Sequence, residues 1–206
     1  MKLIGYGEDF LTLWALTKET KTILTKLKDE TPIDSCMIIY RPSFGRAGGS
    51  MENQRAEFGE FDAILITDQK AYLIESKWDG GGKRKRIVKL EKNQVKRHKI
   101  FTWYHSNWKK GIDWNELLEK KTPEFQSLFP KNKIAPNGSI LKENLNEVLS
   151  LINGKPLQNV LMYFHTGDQQ EIRDNYGDVN FTKLPVQYDH KQNLLEMNCA
   201  RVKRIF

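Results

Sequence analysis

The chain has 206 residues, of which 39% are hydrophobic and 29% charged, and it carries a net charge of +7. That length suffices for one domain with a real core, and the composition excludes a disordered or fibrous polymer. No stretch reaches the ~18–20 apolar residues of a membrane span. The N-terminus turns acidic at Glu8 and Asp9 before a signal-length apolar run develops, so a cytoplasmic protein is expected. Cys36 and Cys199 lack metal or redox spacing and read as buried small hydrophobes.

The first helix is expected from about Glu8 to Lys28, where Phe10, Leu13, Trp14, Leu24 and Leu27 recur at helical spacing. A strand follows over 35–40, stopped by Pro42. Gly45, Gly48 and Gly49 then mark a loop with Arg41 and Arg46 at its base. Next come two apolar runs, 61–67 and 70–77, which read as a hairpin turning at Asp68-Gln69. Gly80-Gly81-Gly82 release the chain into a helix from about Val88 to Tyr104. On it Leu90, Gln94, His98 and Phe101 share one stripe, placing two polar residues on the face that should dock on the sheet. Positions 109–138 read as an irregular insertion with short helical pieces. A third helix should start at Ser139, a residue suited to an N-cap. Asn159 to Phe164 is a buried strand, and Thr166 to Val179 a polar loop. The tail, about 180–206, suggests a final hairpin from Leu184–Tyr188 into 194–197. The order describes one mixed α/β domain with its core at about 8–166.

The basic residues are concentrated. Between Lys83 and Lys110 there are eleven of them against one acid, Glu91. A polyanionic partner follows from that density, while a solvated basic helix is the plainer reading. Trp103, Tyr104 and Trp108 interleave with these lysines; they either stack bases or pack a helix end on the core.

The hairpin carries the chemistry. With Asp68-Gln69 at the turn, Ile66 pairs with Ala71, Ile64 with Leu73 and Asp62 with Glu75, and opposed residues share a face about 4.5–5.5 Å apart. Alternation puts Lys77 on that face as well. Two carboxylates and an ammonium at the rim of an oily hairpin suit Mg²⁺, which takes oxygen ligands and keeps waters for itself or a phosphate. Without a cation the carboxylates repel, and at least one pKa should rise. Asp62, Glu75 and the Ser76 carbonyl would be the donors, and Lys77 would hold a water or stabilise charge on a transferring phosphoryl group. A strand-end salt-bridge cluster is the alternative. Glu57 and Glu60 lie close enough to replace Asp62, and a one-residue slip would put Asp62 and Glu75 on opposite faces. His98 and His105 lack the partners of a zinc site; His98 either contacts a phosphate or packs.

Asp62, the twelve-residue gap and Glu75-Ser76-Lys77, followed by Gln94-x-x-x-His98, resemble the PD-(D/E)XK nuclease superfamily, with Phe61 in place of the Pro of the motif name. The likeness is nearest to nuclease-related domains and type II restriction endonucleases. It implies an αβββαβ restriction-endonuclease-like core, a mixed sheet flanked by helices. It also implies metal ligation by Asp62 and Glu75, water orientation by Lys77, and support from Gln94 and from Glu8 on the first helix. The expectation is thus a Mg²⁺-dependent endonuclease acting on DNA, with Mn²⁺ as a substitute and, by analogy, a restriction role. Backbone contacts would come from Arg41, Arg46, Lys83, Arg84, Lys85, Arg86, Lys92, Lys96, Arg97 and His98. A homodimer would allow both strands to be cut. The alternatives are a non-catalytic nucleic-acid-binding module of the same fold and a nuclease for RNA or branched DNA.

Overall fold

The computed structural model describes residues 2–45, 56–78, 88–167, 172, 176–188 and 195–198. In chain order the elements are β1 (Lys2–Gly5), α1 (Glu8–Lys18), α2 (Thr20–Leu27), β2 (Met37–Tyr40), β3 (Ser43–Phe44), β4 (Gly59–Glu60), β5 (Ala63–Ile66) and β6 (Ala71–Trp78). They continue with α3 (Lys92–Asn107), α4 (Trp114–Leu128), α5 (Ile140–Ile152), β7 (Leu157–His165), β8 (Thr182–Gln187) and β9 (Leu195–Asn198). The fold is α/β. Its centre is a five-stranded mixed sheet in the order β2-β5-β6-β7-β8, antiparallel across β2, β5 and β6 and parallel across β6, β7 and β8. Two short antiparallel pairs, β1 with β9 and β3 with β4, lie outside it.

Helices cover both faces of the sheet, and the hairpin supplies apolar residues to each. Ile64, Ile66, Ala71 and Leu73 pack with Phe101, Trp114 and Leu145 on the α3–α5 side. Ala63, Leu65, Tyr72 and Ile74 pack with Leu11, Leu16 and Leu24 on the α1–α2 side. All four residues of β5 are buried, the pattern of a strand covered on both faces. Each such Ile or Leu contributes roughly 1.5–3 kcal/mol relative to exposure.

The hairpin register matches the expected one at Ile66↔Ala71 and Ile64↔Leu73, and the Thr67 N–H donates to the Lys70 carbonyl across the turn. Four other expectations need correction. The first helix is two, broken at Glu19, where hydroxyls of Thr17 and Thr20 bond the carbonyls of Leu13 and Leu16 and so compete with the helical ladder. The supposed irregular insertion contains the 15-residue helix α4, capped by Asp113 and running through Pro123. A proline there removes one N–H, while burial of Trp114, Leu117 and Phe125 holds the helix together. The C-terminal hairpin does not form: β8 joins the central sheet beside β7, and β9 pairs with β1. The basic helix begins at Lys92 rather than Val88, with Gln94 bonding back to Glu91 at its start. Cys36 is half-buried, whereas Cys199 lies outside the described residues. No helix among the described residues is long and apolar enough to cross a membrane.

Candidate functional site

At the open end of the hairpin β5 stops at Ala63 while β6 continues to Trp78 beside β7, and side chains from α1 and α3 reach this rim. Asp62 sits just before β5, at the position the register extends to opposite Glu75. Its Oδ2 accepts a 2.6 Å hydrogen bond from the Ser76 N–H. Burial first, then the charge of Glu75 and more weakly that of Glu8, push the Asp62 carboxyl up to about 7; the Ser76 N–H and the Lys77 ammonium pull the other way.

Glu75 is fully buried, with 0% exposure, on a strand that is otherwise apolar to that depth. Its Oε2 accepts from Gln94 Nε2 at 2.8 Å and its Oε1 from Arg97 Nη1 at 2.6 Å. His98 Nε2 lies 3.3 Å from the same Oε1, outside hydrogen-bonding geometry, while its Nδ1 shares a 2.7 Å hydrogen bond with Asn159 Oδ1. Gln94 has two functions. Its Oε1 accepts from the Glu91 N–H and starts α3, which fixes the amide so that the NH₂ group faces Glu75.

Glu8, in the first turn of α1, reaches the same rim. Its Oε2 accepts from the Trp78 N–H at 2.8 Å, and its Oε1 lies 3.7 Å from Lys77 Nζ. Burial raises its pKa, opposed by Lys77 and by the Trp78 N–H. The structure therefore brings Glu8, Asp62, Glu75, Lys77 and Gln94 together. Ser76 contributes its N–H to Asp62; its hydroxyl is buried without a hydrogen-bond partner and, by strand alternation, faces away from Glu75.

The other expected contacts divide. Arg46, Lys83, Arg84, Lys85 and Arg86 lie outside the described residues. Lys92 is exposed and Lys96 partly so. Arg41 bonds Asp9 and Glu60 at the surface. Two assignments are corrected. Arg97 is no surface phosphate contact: its side chain is only 13% exposed, its guanidinium lies 5.7 Å from the centre of the Phe61 ring, and it is the counter-ion of Glu75. His98 is fully buried between Phe61 and Phe181 and packs rather than meeting a phosphate. Trp103 and Tyr104 likewise lie in the core, so the packing reading holds for them.

Sequence reasoning gave Arg97 a backbone contact and missed its place beside Glu75, although a signal was present: it stands three residues after Gln94 and four before Phe101, on the inward stripe. A second signal lies at Gly59, which has φ 105°. A Cβ there would come within 3.0 Å of Arg97 Nε and 3.1 Å of Nη2, so glycine leaves the space the guanidinium fills.

Among the described residues no three His, Cys, Asp or Glu side chains converge closely enough to cage a metal ion. A carboxylate pair suits Mg²⁺ better than a caged transition metal, because Mg²⁺ uses one or two carboxylates and retains waters. The donor chemistry of Asp62 and Glu75 fits that cation, with Arg97 and Gln94 already engaging Glu75. Comparison of the chain with protein-family models, curated proteins and solved structures gives no match.

Proposed function

We propose that this chain is a Mg²⁺-dependent endonuclease hydrolysing DNA phosphodiester bonds, built on a restriction-endonuclease-like core. The observation that carries the reading is the register: Asp62 stands opposite Glu75, with Lys77 two residues on and Glu8 and Gln94 drawn in from α1 and α3. The succession α1, β2, β5, β6, α3, β7 supports the same reading. Asp62 and Glu75 would hold the cation, with the Ser76 carbonyl as a further oxygen donor. The bound cation would lower the pKa of its water and offset charge developing on the phosphate.

The chain's own residues do the rest. The Ser76 N–H fixes one oxygen of Asp62, and Gln94 aims Glu75. Lys77, held near the rim by Glu8, orients a water and stabilises negative charge on the phosphoryl oxygens. The basic surface supplies the sequence-independent grip on the backbone.

One observation favours a second reading, a nucleic-acid-binding module without catalysis: both oxygens of Glu75 are taken by protein groups. Plasmid nicking in Mg²⁺, Mn²⁺ and EDTA separates the two. The nuclease predicts cutting with either cation, none in EDTA, and a loss of at least about a hundredfold in Lys77→Ala, within the range expected for one charge-stabilising group. Salt-sensitive binding without cutting in either metal would establish the module instead.

A further inference from the structure

The outer side of α3 carries a feature the nuclease site does not use. Lys92, Val95, Lys96 and Lys99 follow one another at three- and four-residue spacing, on the side of the helix opposite Gln94 and Phe101. Between this side, the end of α4 and the turn at Tyr176-Gly177 lies a groove of about 520 Å³. Its floor is apolar, formed by Leu90, Val95, Leu128 and Phe129. Leu128 is 57% exposed and gives the groove accessible apolar surface.

The rim is cationic. Lys92, Lys96 and Lys131 border the groove, and among the described residues no acid pairs with them, whereas neighbouring Lys99 is bonded to Asp178. Burial, and after it the charge of Lys131, lower the pKa of Lys96. Two ammonium groups side by side above an oily floor repel, and an anion seated between them converts that repulsion into attraction.

We propose that this groove binds single-stranded nucleic acid, with a base lying against the Leu128 floor and its phosphate bridging Lys96 and Lys131. An unpaired base offers a flat apolar face beside a fixed negative charge, the combination the groove answers. A duplex hides those faces in its stack and would meet only the lysines. The inference rests on the nuclease reading in one respect: it names an unpaired strand as the form of nucleic acid led to that site.

The test is fluorescence anisotropy of a labelled twelve-residue oligo-dT in EDTA, which keeps the strand uncut, beside a blunt duplex of equal length. Lys96→Ala with Lys131→Ala should weaken single-strand binding at least about tenfold. It should also flatten the log–log salt slope by about 0.7, for the one bridged phosphate no longer neutralised. Leu128→Ser should weaken binding of the single strand and leave the duplex unchanged. These side chains border solvent, and thermal melts of the variants check that the fold is kept. Unchanged affinity in the lysine pair would overturn the proposal. So would an equal effect of Leu128→Ser on strand and duplex, or displacement of the oligonucleotide by polyglutamate as readily as by unlabelled oligo-dT. Plasmid cutting measured in parallel separates the two claims. Groove-dependent binding without metal-dependent cutting removes the nuclease and keeps the groove; cutting with groove-independent strand binding does the reverse.

Discussion

At the turn end of the β5–β6 hairpin, Asp29 accepts hydrogen bonds from the Thr31 N–H at 2.9 Å and from the hydroxyls of Thr67 and Tyr72, each at 2.7 Å. At the open end of the same hairpin, Asp62 accepts from the Ser76 N–H and stands among the charges of Glu75 and Glu8. Burial pushes both carboxyls up. At Asp29 the Thr31, Thr67 and Tyr72 donors outweigh it and hold the pKa down at about 2, whereas at Asp62 the neighbouring acids add to it and the value reaches about 7. One hairpin thus holds two buried aspartates with opposite consequences. Asp29 is surrounded by the groups a carboxylate needs and ties the turn to α2. Asp62 is held where its charge is disfavoured, an arrangement that lowers stability and that the proposed cation would relieve.

The largest expected effect tests whether the open end depends on its internal counter-ion. Arg97→Ala leaves Glu75 buried without a countercharge and should cost about 3–5 kcal/mol in denaturant unfolding; a loss below about 1 kcal/mol would mean that Gln94 and water suffice. At the other end, Asp29→Asn weakens the hydroxyl bonds and should cost about 2 kcal/mol at pH 7. A depressed folded-state pKa contributes stability that is present above the unfolded value near 3.8 and is lost as pH falls through about 2. The gap between wild type and Asp29→Asn should therefore close across roughly pH 4 to 2.

Asp62→Asn should act with the opposite sign. A folded-state carboxyl raised to about 7 costs nothing while protonated in both states, below the unfolded value near 3.8, and an increasing amount as pH rises towards 7. Unfolding in EDTA should then show the variant more stable by about 1–2 kcal/mol above pH 7 and by progressively less as pH falls to 4. Added Mg²⁺ should raise wild-type stability and erase the difference. A destabilised Asp62→Asn at pH 8 would remove the contrast between the two ends. The smallest effect sharpens it: Tyr72→Phe removes one of three donors to Asp29 and should cost about 1 kcal/mol.

The site was legible in proportion to how local its signals are. Period-2 alternation and a two-residue turn fix which residue faces which, so the Asp62 and Glu75 positions follow from counting. The Ser139 cap, accepting from the Lys142 N–H, is equally local. Asp29 gave no signal, because Thr67 and Tyr72 reach it from about forty residues away. Arg97 and His98 mislead because they lie in a stretch whose charge speaks of solvent, while their helical phase turns them inward. Helix α4 was hidden by Pro123 and its lysines, although three buried aromatic and aliphatic side chains are enough to fold it onto the core. The pairing of β9 with β1, rather than with β8, depends on strands from opposite ends of the chain, which no window of sequence contains.

That pairing has a temporal side. Strand β1 runs within two residues of α1, whose first residue, Glu8, caps the Trp78 N–H and faces Lys77. A ribosome emits Asp62, Glu75 and Lys77 long before Leu195–Asn198, so β1 lacks its partner while the more than a hundred residues between them are made. Closing a loop of about 190 residues costs only a few kcal/mol, because the entropy grows with the logarithm of loop length. The nascent chain therefore carries the hairpin of Asp62 and Glu75 with the leading segment of the Glu8 helix unanchored, and secures that corner only once β9 has been made.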